Sequence, residues 1–142
     1  MSVDNLARVR NGLEILDRAE CLRLLASVPV GRVAVTVDAL PVILPVNFAV
    51  TPGGQVVFAT RDGQKLRGAL DNTVVAFEAD AFDAETRSGW SVMVQDRAEL
   101  VPMRDAPLFA DLDFDRWAGV DATSYVVIGT ALMSGRRITN AI

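Results

Sequence analysis

From Gly31 the sequence alternates. Val33, Val35 and Val37 are spaced by Arg32, Ala34, Thr36 and Asp38, a period of two that suits a strand with one buried face. Similar stretches follow, separated by turn residues. Asp38-Ala39-Leu40-Pro41 reads as a turn, and Val42 to Val50 as a second strand, apolar on both faces. Thr51-Pro52-Gly53-Gly54 turns into a third strand, Gln55 to Thr60. Further strands are expected over Thr73 to Ala79, Trp90 to Val101 and Ser124 to Ser134, with Asp80 to Ser88 as a polar loop. Six strands, short helices and hairpin-length connections predict a mainly β fold, a six-stranded antiparallel split β-barrel with short flanking helices. The whole span 1–142 reads as a single domain. The segment 55–79 also suits one parallel crossover, which by itself would not make a doubly wound sheet.

Pro45 interrupts the second strand. Proline cannot donate to a ladder, so either this strand lies at an edge or the ladder breaks there. A break would leave backbone groups of Val46 and Asn47 open to a ligand. Apolar residues on both faces of this strand would leave a large exposed patch on a monomer, which predicts a homodimer.

The helical segments are short. Asp17-Arg18-Ala19-Glu20 has capping-box spacing. Leu22, Leu24, Leu25 and Val28 then form an amphipathic helix that Pro29 and Gly31 end. Leu66 to Leu70 and Ala106 to Leu112 read as two more helices, and 113–122 as irregular. Residues 1–14 read as an arm or lead-in.

Composition narrows the chemistry by exclusion. Histidine is absent, which removes the Ser-His-Asp triad, the Cys-His dyad and most zinc sites. The single cysteine, Cys21, sits in the first helix's apolar pattern and behaves as a small hydrophobe. Net charge is −4 and the pI is near 4.7, which argues against a nucleic-acid partner. The acidic runs Glu78 to Glu85 and Asp105 to Asp115 read as solvated loops or helix faces, with no metal site. With no signal peptide and no stretch near the ~20 apolar residues of a membrane span, a cytoplasmic, non-membrane protein is expected.

The run Phe58-Ala59-Thr60-Arg61-Asp62-Gly63-Gln64-Lys65-Leu66 stands out. Lys65 is the only lysine, and the other thirteen basic residues are arginine. A strand, a turn with a hydroxyl and two cations, and a helix start make a plausible phosphate cradle. The same residues also suit an ordinary solvated turn before a capped helix. Gly89-Trp90-Ser91-Val92-Met93-Val94-Gln95 is the second grouping. Ser91, Met93 and Gln95 share one strand face, and Trp90 is either a flat platform with one donor or a core anchor.

Taken in order, five motifs resemble the pyridoxamine 5′-phosphate oxidase-like flavin-binding split barrels, closest to the nitroimidazole-resistance-type branch. They are Gly31-Arg32-Val33-Ala34, Pro41-x3-Pro45-Val46-Asn47-Phe48, Phe58-x-Thr60 with Gly63-x-Lys65-Leu66, Val75-x-Phe77-Glu78, and Gly89-Trp90-Ser91-Val92. The resemblance implies a homodimer with two flavin mononucleotides (FMN) in interfacial clefts. It implies that Thr60, Arg61 and Lys65 hold the phosphate. It also implies that the backbone of Pro45, Val46 and Asn47 and of Val57, Phe58 and Ala59 lines the ring, with Leu66 in the same motif. Trp90, Ser91 and Gln95 would approach from the partner subunit or the same cleft. The implied activity is hydride transfer from reduced nicotinamide, NAD(P)H, through the flavin to a small acceptor, with no side-chain acid or base. A binding module for flavin or another heterocycle, and a deazaflavin-dependent reductase, are the alternatives. The chain departs from the family's name-giving enzyme in lacking histidine, so pyridoxamine phosphate oxidation is not expected. It departs again at Asp96, where the branch often has glycine and where an acid falls on the face of Val92 and Val94. Arg136 and Arg137 are free to serve a substrate or phosphate, or to be solvated.

Overall fold

In the computed structural model, residues 9–10, 12–60, 64–110, 112 and 124–139 are described. The alternation from Gly31 becomes β3 (Val30–Val37), which turns back into β4 (Leu40–Val50). Asp38 and Ala39 take positive φ of 50° and 65°, the two-residue turn whose twist matches a hairpin. The ladder runs unbroken from Val37↔Leu40 to Val30↔Asn47 and includes Arg32↔Pro45. Hydrogen-bonded pairs alternate from the closing pair, so Pro41 and Pro45 fall where the missing N–H faces away from β3. The ladder therefore does not break at Pro45; the edge alternative holds for this part of β4.

β5 (Val56–Thr60), β6 (Thr73–Asp83), β7 (Ser88–Leu100) and β8 (Ser124–Ile128) complete a closed six-stranded barrel in the order β3-β4-β5-β8-β7-β6. Every pairing is antiparallel. β5 and β6 are not neighbours, which rules out a parallel crossover at 55–79. The turn into β5 is as expected, with Gly54 N–H donating to Thr51 O at 2.9 Å and Gly54 at φ 82°.

Several boundaries differ from the sequence reading. Asp80 to Asp83 belong to β6, so only Ala84 to Arg87 form the turn before β7. Residues Leu13–Leu16 form a strand, β2, preceded by the short β1 (Val9–Arg10). The expected last strand is two, β8 and β9 (Leu132–Ile138). β9 pairs with the first half of β7 and with β2, while β8 takes the second half of β7.

Asp96 explains the break. Its carboxylate accepts from the Ala131 N–H at 2.8 Å and the Arg97 N–H at 2.7 Å. These two amide bonds, Ala131's first, hold its carboxyl below the usual range. A Cβ at Gly129 would lie 2.4 Å from Asp96 Oδ2, so the corner needs glycine. Thr130, next in the corner, is buried. It accepts from Arg18 Nη2 at 2.8 Å and donates to Gly54 O at 2.5 Å.

Helix α1 (Arg18–Leu25) starts as expected, with Asp17 accepting the Glu20 N–H at 2.9 Å. It covers β9, where a Cβ at Gly135 would meet Cys21 Sγ at 2.4 Å. Helix α2 (Gln64–Leu70) packs Leu66, Ala69 and Leu70 against the barrel core. The helix expected at 106–112 is present as a four-residue helix, α3 (Pro107–Ala110), preceded by a 3₁₀ turn, Met103–Asp105. The irregular stretch expected at 113–122 lies outside the described residues. Inside the barrel, Phe48 meets Phe77 edge-on with ring centroids 4.8 Å apart. Phe77 is fully buried, and burial of a side chain of this class stabilises by roughly 1.5–3 kcal/mol.

Candidate functional site

β4 and β5 pair only from Phe48↔Phe58 to Val50↔Val56. Beyond that point β5 continues against β8, as Ala59↔Tyr125 and Thr60↔Ser124, while β4, among the described residues, continues against β3 alone. The two strands part, and Pro45 to Asn47 and Ala59 to Thr60 lie on the two sides of the split. Chain continuity brings the start of α2 there, a few residues past Thr60.

The expected ligands fall into two groups. Pro45 is exposed, and Val46 is half-buried with its side chain against the core. Asn47 Nδ2 donates to Pro29 O at 3.2 Å, which fixes the amide beside the split. Phe58 is buried among the core side chains, so only its backbone is available. Ala59 is half-buried and Thr60 buried. Leu66 packs into the core and anchors the helix. Arg61, Asp62, Gly63 and the Lys65 side chain lie outside the described residues; the Lys65 backbone belongs to the first turn of α2. Arg67, unremarked in the sequence, reaches from α2 to Ser124, with Nη1 3.4 Å from Oγ.

Trp90, Ser91 and Gln95 form the second group, on β7. β3 and β6 stand between β7 and β4 in the sheet order, a separation of about 14 Å at the usual strand spacing. Along that path the two groups lie on strands set apart by two others. Trp90 packs against the core side and pairs with Arg137, while Ser91 pairs with Arg136 and Gln95 with Leu132.

Ser91 and Gln95 belong to the outer face of the sheet, whose side chains lie in cross-strand rows. One row runs Ile43, Ala34, Ala76, Gln95, Leu132. The next runs Pro45, Arg32, Glu78, Met93, Ser134. A third holds Asp80, Ser91, Arg136 and Ile15. The small pair Ala34 and Ala76 leaves a groove of about 250 Å³, lined also by Thr36, Pro41, Val74 and Gln95.

Glu78, Asp80 and Arg32 form the charged cluster of this face. Arg32 Nη1 lies 3.5 Å from Glu78 Oε1 and 3.3 Å from Asp80 Oδ2. Glu78 Oε1 is buried and makes no well-directed hydrogen bond among the described residues; the arginine is near enough for charge attraction only. The Glu78 carboxyl is pushed up to about 7, first by burial, then by its hydrogen bond to Asp80 and that neighbour's charge, with Arg32 opposing. The sequence reading put the acidic run from Glu78 in solvated loops or helix faces, although its expected strand Thr73 to Ala79 already held Glu78. The available signal was their spacing of two within a β-patterned stretch, which places both on one strand face.

Arg137 is not free for a ligand. It pairs with Glu14 at 3.0 Å and Glu20 at 2.5 Å. Arg136 is exposed beside Ser91.

Comparison with known proteins fits this geometry. The sequence pattern of the pyridoxamine 5′-phosphate oxidase family matches residues 17–137. The uncharacterized protein Rv0080 of Mycobacterium tuberculosis is 38% identical over 128 residues, covering 87% of this chain and 84% of its own. The FAD-binding protein of Mycobacterium smegmatis has a structure that superposes with a TM-score of 0.68 at 36% identity, covering 89% of this chain and 98% of that one. A Corynebacterium glutamicum protein provisionally named a pyridoxamine 5′-phosphate oxidase superposes with a TM-score of 0.80 at 35% identity, over 94% and 98%.

Proposed function

The chain belongs to the pyridoxamine 5′-phosphate oxidase family, and from that premise we propose that it is a cytoplasmic, homodimeric flavin-dependent oxidoreductase. In this reading it takes hydride from NAD(P)H and passes it to a small acceptor. The observation that carries the reading is the parting of β4 and β5 after Phe48↔Phe58. It opens backbone on one side and the Thr60 turn on the other, at the place where the motif resemblance puts a flavin. The FAD-binding relative at 36% identity supports a flavin ligand.

When bound, the flavin supplies the hydride chemistry. The chain's residues position it. The backbone of Pro45 to Asn47 and of Val57 to Ala59 flanks the ring, and the Asn47 amide, tied to Pro29, keeps that edge rigid. Thr60, Arg61 and Lys65 take the phosphate next to the ribityl chain, a group that FMN and FAD share. Leu66 holds the turn to the core. In this reading Trp90, Ser91 and Gln95, on a strand set apart from β4 by β3 and β6, serve the cleft of the partner. Exposed apolar side chains on the outer face, Ile43 at 70% and Val74 at 68%, support a second copy there.

The colour and absorption spectrum of the purified protein test the flavin, and bleaching by NAD(P)H in stopped flow tests the chemistry. Lys65→Ala is expected to weaken FMN by about 1.5–3 kcal/mol, the range for a hydrogen bond to a charged group, and to leave riboflavin unchanged. Equal FMN affinity in both proteins would remove the phosphate from this turn. A bound flavin that no donor reduces faster than free flavin would leave a binding module.

A further inference from the structure

The Glu78–Asp80–Arg32 cluster lies in the middle of a face with apolar residues in every row around it. β6 contributes both acids and β3 the arginine. β7 adds Met93, Ser91 and Gln95, and β4 adds Pro45, none of which titrates near neutrality. Arg136, across Ser91 from Asp80, is the next charge out. With both acids ionised the cluster carries one net negative charge. With one proton shared between them it is neutral. Two copies meeting through this face bring identical clusters into the contact, because a two-fold interface uses the same patch twice. Covering a net charge is costly, and covering a neutral, internally bonded cluster is far less so.

We propose that two copies of the chain associate through this face with one proton held between Glu78 and Asp80 of each subunit, so that dimer formation takes up protons. The proposal rests on the homodimer reading above. Its geometric basis is the buried Glu78 Oε1 without a directed donor, the two acids on adjacent outward positions, and a single guanidinium 3.3 and 3.5 Å away. The position of the Glu78 carboxyl near 7 sets the range in which the effect is felt. Below that range the free subunit already holds the proton, and association is indifferent to pH. Above it each cluster must gain one, so the dissociation constant rises by up to about a hundredfold per pH unit, tenfold for each of two protons.

The test is sedimentation of the flavin-loaded protein over a wide concentration range between about pH 6 and about pH 9, with Glu78→Gln alongside. The expected result is a wild-type dissociation constant that is flat at the acid end and climbs above neutrality. Glu78→Gln keeps the cluster neutral without a proton, so its dimer should stay tight throughout. Asp80→Asn does the same by the other acid and serves if the first variant folds poorly. If the dimer persists at the lowest concentration, its unfolding midpoint is read above about pH 8, beyond the fall that the free subunit's own Glu78 causes: there it should still drop with pH in the wild type and not in Glu78→Gln. A pH-independent wild-type dimer, or a variant with the wild-type slope, overturns the proton coupling and leaves the dimer standing. A monomer in every condition overturns the homodimer reading itself.

Discussion

Asp96 sets a corner of the fold with one side chain. Its carboxylate binds the amide that follows Thr130 and its own neighbour's amide, and it fills the space a Cβ at Gly129 would take. Asp96→Ala should therefore cost about 1.5–3 kcal/mol, the range for a hydrogen bond to a charged group. Gly129→Ala should also destabilise, because it pushes the carboxylate off the Ala131 amide. In the Asp96→Ala background that penalty should shrink, and a double-mutant cycle in urea measures the coupling. Because the folded carboxyl sits below its ordinary value, this contribution is present above the unfolded value of about 3.9 and is lost as pH falls through the folded one. At the β3–β4 turn the alanine at φ 65° is strained. Ala39→Gly is expected to raise stability by roughly 0.5–1 kcal/mol, less than the full left-handed penalty because glycine adds freedom to the unfolded chain. Thermal melts would show it.

Among the elements, α1 shows how far local rules reach. Asp17 caps the helix as its spacing implies. Glu20 does not complete the box; its carboxylate turns outward to Arg23 and Arg137. Those two hydrogen bonds, Arg23's first, hold it down at about 2. A depressed carboxyl stabilises above its unfolded value, near 4.3, and the benefit is lost as pH falls toward about 2. Glu20→Gln should flatten the acid limb of the stability curve in that window, read by denaturant melts at several pH values. The strands β3 to β7 were legible because each alternates or is bounded by turn residues. The break between β8 and β9 was not, because it is made by Asp96, far away in sequence. β2 was missed because four residues at the sheet margin give no period, and its partner lies near the other end of the chain. At the candidate site the split between β4 and β5 was half legible. Pro45 left an edge strand and a broken ladder both open, and only the registers with β3 and β8 show that β4 is unbroken and where β5 leaves it. Glu78 and Asp80 were read by composition as a solvated run, when their spacing of two put them side by side.

At the scale of the whole molecule, the strands are closed into a ring on one side and extended by β9, β2 and β1 on the other. Among the described residues no helix is long and apolar enough to cross a membrane. β2 meets β9 along four pairs, and the Glu14–Arg137 bond within that ladder joins residues 123 apart in sequence. Closing so long a loop carries an entropic cost that nearby contacts do not share, and non-local pairing of this kind slows folding. The barrel hairpins β3–β4 and β6–β7 can form before it; the β2–β9 seam has little reason to. Leu16, 8% exposed at the end of β2, is the probe. Leu16→Ala should cost about 2–5 kcal/mol and, in a chevron, should appear almost wholly as faster unfolding with the refolding rate unchanged. The seam that ties the two ends of the chain together is then a latch on the lifetime of the native state, closed last on the way in and released first on the way out.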